Sequence, residues 1–160
     1  MEISRDTIDE FHAFADDHLD ELTALVNFAR RSLGDTFDED VPDATPEQVR
    51  SELDAALADD DLALNVAALY KVGVGLDVRN DYAGFVVDEM IGRRLANCIA
   101  GDDPRQTLAE ATFHYVDVHT AEVIDEAAEG AGFDDVLAGI AAGVQCRLPG
   151  WGWHDDGIPE

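Results

Sequence analysis

Apolar residues recur at alternating steps of three and four along the first thirty residues, with one double step across His18, which is the spacing of one helix face. The positions on this face are Ile8, Phe11, Ala15, Leu22, Leu25 and Ala29. Acidic residues at the amino end and Arg30 and Arg31 at the carboxyl end suit the helix dipole. The pattern predicts one long N-terminal helix of about seven turns that ends at Gly34.

Capping residues predict where the later helices begin. Thr45, Pro46 and Gln48 form a capping box with a proline at the first helical position, so we expect a short helix to about Ala58. The run Asp59-Asp60-Asp61 ends that helix and caps the next. Further helices are expected from Asn80 or Asp81 to Gly101, from Asp103-Pro104 to the glycines at 130 and 132, and from Asp134 or Asp135 through Val136 to Leu148.

Residues 70–78 fit two periods. Apolar residues at every second position, from Tyr70 to Val78, are typical of a strand. A helical stripe through Leu62, Val66 and Leu69 continues across the same segment, although glycines at 73 and 75 each cost about 1 kcal/mol in a helix. No second alternating run could pair with a strand, and an isolated strand is marginal. We favour a helix and keep the strand as the alternative.

Together these elements predict an all-α fold. We expect a compact bundle of about five to seven helices with a long N-terminal helix and an irregular aromatic C-terminal tail. The length of 160 residues suits one domain. We expect a single helical domain over residues 1–148, with an acidic linker at 34–45, and a Trp-containing tail at 149–160.

The charge distribution indicates a saline environment. The chain has 36 acidic and 10 basic residues, a net charge of −26, and Lys71 as its single lysine. Asp-rich, Arg-rich composition of this kind resembles that of haloarchaeal proteins, or of proteins from viruses of such hosts. At low salt the like charges would repel each other, whereas multimolar salt screens them. We therefore expect a chain that needs a high concentration of KCl or another salt for stability.

The compartment follows from three further features. The first twenty residues have no apolar segment of the kind found in a secretory signal. The run from Val136 to Cys146 is uncharged but shorter than the ~20 residues of a membrane helix. Cys98 and Cys146 lie in no metal or disulfide pattern, so we expect two reduced thiols. These features predict a cytoplasmic protein, or a virion component if a virus encodes it, and no contact with a membrane.

Five histidines raise the possibility of a metal-dependent enzyme, either a di-metal bundle or a magnesium-dependent nucleotide hydrolase. The candidate ligands are His12, His114 and His119 with the acids Asp9, Glu110 and Glu122. His12 and His18 are six apart and His114 and His119 are five apart, so neither pair has the i, i+4 spacing that lets two histidines of one helix bind the same metal ion. With so many acids, a carboxylate near a histidine is expected by composition alone. No complete nucleophile or phosphate-binding motif occurs. We expect no cofactor and no metal, and keep the enzyme as the alternative.

Two elements indicate association with another protein. Gly139 and Gly143 are four apart in the last helix, where a partner helix or a helix of the same chain could approach closely. Trp151 and Trp153 are the only tryptophans, and they could dock into a neighbour's pocket or fold back on the chain's own core.

The basic pairs, including Arg93-Arg94, suit ion pairs within the chain or between subunits. Nucleic-acid binding is not expected on a surface this acidic. The stretch TPEQVRSELDAALADDDLAL resembles the helical head-to-tail connector proteins of tailed viruses over twenty residues, and this resemblance implies no residue role. The leading hypothesis is a non-enzymatic structural or adaptor subunit that binds a protein partner or forms a homo-oligomer.

Overall fold

Seven helices form the regular structure of residues 1–76, 87–123 and 131–152, which are the residues that the computed structural model describes. They are α1 (Arg5–Asp17), α2 (Leu19–Phe37), α3 (Pro46–Ala56), α4 (Asp60–Val74), α5 (Val87–Ala100), α6 (Arg105–Val123) and α7 (Ala131–Arg147). Within these ranges every helix packs on at least one other helix. The all-α bundle predicted from the sequence is confirmed.

The predicted N-terminal helix is two helices that meet at His18. This residue leaves helical geometry, with φ −111° and ψ 20°, and its Nδ1 lies 2.8 Å from Oε2 of Glu21. The second helix also continues past the predicted end at Gly34. A Cβ at Gly34 would lie 2.8 Å from the carbonyl oxygen of Glu39, because Asp38 turns the chain back in the left-handed conformation. Gly34 therefore permits a close approach inside the helix.

The capping predictions for α3 and α4 are confirmed. Thr45 and Gln48 bond reciprocally across the first turn of α3, and the Asp59 side chain accepts from the backbone N–H of Leu62. Of the ambiguous segment 70–78, residues up to Val74 are helical, and 77–78 lie outside the described residues. Gly73 allows α4 to pack closely against α7, because a Cβ there would lie only 2.6 Å from a methyl group of Val136.

Helix α7 lies at the centre of the bundle. Almost every described side chain from Phe133 to Leu148 is buried, and the helix packs on α5, α6, α2 and α4. An all-round apolar helix is what such a position requires. The helix begins at Ala131, so the prediction that Asp134 or Asp135 caps it is wrong. Both aspartates lie within the helix instead.

The other predicted boundaries fall partly within the described ranges. Gly101, with φ +101°, follows the last residue of α5, as expected of a glycine that ends a helix. The predicted start at Asn80 or Asp81 and the first of the two predicted end glycines, at 130, lie outside the described residues. The second, Gly132, lies inside α7 and does not end the preceding helix. No helix among the described residues has the length and apolar character to cross a bilayer.

Candidate interaction site

Gly139 and Gly143 form the contact between α7 and α5. A Cβ at Gly139 would lie 2.4 Å from the carbonyl oxygen of Gly92, and one at Gly143 would lie 2.9 Å from that of Ala96. The small-residue stripe therefore serves close packing within the chain, which is the second of the two uses that the pattern allows. Neither glycine lies on the surface.

Trp151 also packs on the chain's own core. It is 2% exposed, its Nε1 donates to Oε1 of Gln145 at 2.5 Å, and its ring centroid lies 6.0 Å from the guanidinium of Arg30. Arg30 is itself buried and donates to the carbonyl oxygens of Pro42 and Pro149 at 2.8 and 2.6 Å. Burial lowers the pKa of Arg30. The start of the tail is thus held to α2, and Trp153 lies outside the described residues.

Most basic side chains in the described ranges have a carboxylate partner. The pairs are Arg5–Asp60, Arg31–Asp43, Arg50–Asp16, Lys71–Glu10 and Arg147–Glu52. Among the described residues Arg30, Arg93, Arg94 and Arg105 have no such partner, and of these Arg30 is buried and bonded to backbone carbonyl oxygens. Arg93 and Arg94 are the two of these that are adjacent. In a chain with 36 acids, two neighbouring unpaired guanidinium groups form a local exception to the charge pattern.

These two arginines line a cavity between α5 and α6. Its volume is about 270 Å³, and its walls are Met90, Arg93, Arg94, Asn97 and Glu110. Arg93 and Arg94 follow Met90 by three and four positions and precede Asn97 by four and three, so each arginine neighbours both of these residues on the helix surface. Arg94 is exposed and Arg93 is half-buried, so both guanidinium groups remain accessible from outside.

Asn97 is the buried polar residue of this cavity. It is 5% exposed, and its Nδ2 donates to Oε1 of Glu110 at 2.7 Å. Because a carboxylate only accepts, this bond fixes which end of the amide faces Glu110. The amide oxygen Oδ1 is buried and has no hydrogen-bond partner among the described residues. An unpaired buried acceptor of this kind costs about 1–3 kcal/mol and is rare in folded proteins.

A second, smaller groove lies over Trp151. It has a volume of about 120 Å³ and apolar walls that include Leu33, Phe37 and Leu108. Phe37 is 66% exposed at its rim. Trp151 therefore forms part of this groove rather than a projecting anchor.

The histidines that the sequence offers as metal ligands have separate local partners. His12 pairs with Asp54 at 3.7 Å, and His119 pairs with Glu122 at 3.1 Å. His114 is exposed on α6, as is Asp9 on α1. Within the described ranges no three His, Cys, Asp or Glu side chains are arranged to hold a metal ion. Glu110 bonds to Asn97 instead of a histidine.

Helix α7 contains a buried carboxyl group that the sequence does not signal. Asp135 of α7 is 5% exposed, and Asp88 of α5 is 2% exposed. Burial, together with hydrogen bonds and proximity to Asp117 and Asp88, raises the pKa of Asp135 to about 10. Asp135 is therefore protonated at neutral pH and can donate a hydrogen bond to either neighbouring carboxylate.

Comparison with known proteins assigns the chain to a family without an assigned activity. The sequence matches a family described as a domain of unknown function, DUF7984, over residues 1–159, so the chain belongs to that family. No curated protein and no solved structure matches the chain significantly.

Proposed function

We propose that this DUF7984 protein is a non-enzymatic structural or adaptor subunit of a larger protein assembly, which it joins through the α5 face around Arg93 and Arg94. The observation that carries the proposal is the adjacent pair of guanidinium groups, Arg93 and Arg94, which form no ion pair with a carboxylate in the described part of a strongly acidic chain. Arginine and methionine are enriched at protein interfaces, and Met90 is 51% exposed beside the pair. Val87, 53% exposed, extends the same face.

The proposed setting is a salt-rich cytoplasm, or a virion if a virus encodes the protein. The net charge of −26 supports it, because salt screens the repulsion between like charges that would otherwise destabilise the folded chain. A partner in the same setting would also need multimolar salt to stay folded, so the contact has to form under those conditions. Hydrogen-bonded guanidinium–carboxylate pairs that exclude water are screened less than exposed charges, which makes this face suitable.

The test is isolation of the chain with its partner from its native organism in multimolar KCl. We expect the wild-type chain to carry a protein at fixed stoichiometry, and the complex to re-form from the two purified components. The Arg93→Gln/Arg94→Gln variant should stay folded by circular dichroism and lose the partner. Arg5→Gln is the matched control, because Arg5 is an exposed arginine that is distant in sequence from Arg93 and Arg94 and pairs with Asp60.

Two results would contradict the proposal. One is a wild-type chain that is a monomer by light scattering and carries no partner. The other is a stoichiometric transition metal in the purified protein, which would favour the metal-dependent enzyme instead.

A further inference from the structure

The cavity between α5 and α6 has unmet requirements that define the chemistry of its ligand, and the inference drawn from them rests on the proposed function. The two guanidinium groups of Arg93 and Arg94 form no ion pair with a described carboxylate. One buried amide oxygen, Oδ1 of Asn97, has no donor. A ligand that satisfies the site must bring both a negative group and an N–H or O–H donor.

The charge balance of the cavity selects a singly charged anion. The positive charges of Arg93 and Arg94 and the negative charge of Glu110 leave one positive charge in the walls. One carboxylate neutralises it, whereas a phosphate dianion would leave excess negative charge against Glu110. Chloride and sulfate carry no donor, so neither satisfies the amide oxygen of Asn97.

We propose that this cavity binds the side-chain carboxylate of an aspartate or glutamate in an acidic segment of a different protein. The carboxylate is held by the forked donors of Arg93 and Arg94, a geometry that suits guanidinium groups. A backbone N–H of the same segment donates to Oδ1 of Asn97. The exposed side chain of Met90 covers the aliphatic stem of the bound residue.

Charge also argues for a segment of another protein over a second copy of this chain. A homodimer would bring together two chains of −26 each, and a standard interface requires roughly 800 Å² from each partner. A short acidic segment brings few charges and needs only this one cavity. The repulsion that remains is long-range and is removed by salt, whereas the short bonds in the cavity persist.

The experiment measures binding of a labelled acetyl-Gly-Glu-Asp-Glu-Gly-amide peptide to the full chain in multimolar KCl. Fluorescence polarisation reports affinity, and the NMR signals of the Asn97 side-chain amide report the site. We expect saturable binding that shifts the Asn97 signals. A matched peptide with glutamine and asparagine in place of the acids should bind at least about tenfold more weakly, because it lacks the charge-assisted bonds.

Variants then assign the contact. Arg94→Gln should weaken peptide binding by about tenfold or more, and Arg93→Gln likewise, since each removes one charged donor. Arg5→Gln should bind like the wild type. Arg94 is exposed, so its replacement should leave the circular dichroism spectrum unchanged.

Four outcomes would overturn the inference. They are no binding of the acidic peptide, equally tight binding of the glutamine and asparagine peptide, peptide binding that Arg94→Gln leaves unchanged, and displacement of the labelled peptide by acetate as effectively as by unlabelled peptide. A wild-type dimer that Arg93→Gln/Arg94→Gln dissociates would make a second copy the occupant and overturn it as well. If the native complex depends on the arginines while the peptide does not bind, the proposed function stands and the acidic segment is wrong. If neither depends on them, both fail.

Discussion

Replacing Asp135 with asparagine tests whether the buried carboxyl group of α7 carries a proton in the folded chain. The side chain is 5% exposed and lies against Asp117 and Asp88. Asparagine has nearly the same shape, cannot ionise, and its amide can donate to the carboxylates as the protonated acid does. The substitution therefore removes the titration while keeping the packing and one hydrogen bond.

The pKa shift sets the size of the effect. The group keeps its proton up to about pH 10 in the folded chain, and in the unfolded chain it ionises near its ordinary value of 3.8. Its contribution to stability is complete below the unfolded value and is lost progressively as the pH rises toward the folded value. Between the unfolded pKa of 3.8 and pH 7 lie about three pH units, and over each unit ionisation stabilises the unfolded wild-type chain by about 1.4 kcal/mol. Asp135→Asn cannot ionise, so it should raise the free energy of unfolding at pH 7 by about 4 kcal/mol.

The assay is urea unfolding in multimolar KCl, followed by circular dichroism over a range of pH. We expect the variant to be more stable than the wild type at neutral pH and the difference to shrink as the pH falls below the unfolded value of 3.8, where Asp135 is protonated in both the folded and the unfolded wild-type chain. Asp35→Asn removes the same charge from an exposed position of α2 and should change stability by less than about 0.5 kcal/mol. A pH-independent difference, or a variant that is destabilised throughout, would refute the protonated Asp135.

Two further substitutions and truncations test the packing of α7 and the tail. Gly139→Ala should lower the free energy of unfolding by about 1–3 kcal/mol, because its Cβ would lie 2.4 Å from a backbone oxygen of α5. Gly75→Ala is the control, with no contact closer than 3.8 Å, and should be neutral or slightly stabilising in urea unfolding. A chain ending at Leu148 should lose about 3–5 kcal/mol relative to one ending at Gly152, which keeps the buried Trp151. Equal midpoints for either pair would contradict the corresponding contacts.

Local signals account for the helices that the sequence predicts well. The capping box at Thr45 and Gln48 and the cap at Asp59 act within one turn, so they can be identified without knowing the rest of the fold. The break at His18 could not be identified in this way. Apolar periodicity continues across it, and the His18 ring packs against Phe14 and against Phe133 of α7, a contact with a helix distant in sequence.

The beginning of α7 shows a different reason for failure. Aspartates at 134 and 135 are good caps by local preference, yet Asp135 lies buried inside the helix beside two other carboxyl groups. Its environment comes from α5 and α6, which are distant in sequence. The same helix is apolar on all sides, so its periodicity does not say which face meets α5 or that Gly139 lies on it.

The candidate site was predictable in part. Arg93 and Arg94 stand out in the sequence because bases are rare in it. Asn97, one turn later on the same helix, is a polar residue within the apolar run Leu95 to Ala100, which is the signal that could have identified it. The sequence could not indicate that the arginines lack partners, because that depends on which of 36 acids the fold places nearby.

The position of Trp151 decides which surface an assembly could use. Docking this side chain into a neighbour would require breaking its hydrogen bond to Gln145 and withdrawing the chain segment that holds the Arg30 guanidinium. Leaving that buried charge with fewer partners is costly, so such a contact would have to repay both losses before it stabilised a complex. Arg93 and Arg94 require no rearrangement, because they are already accessible and unpaired within the described ranges. An assembly formed through α5 therefore keeps the folded chain intact.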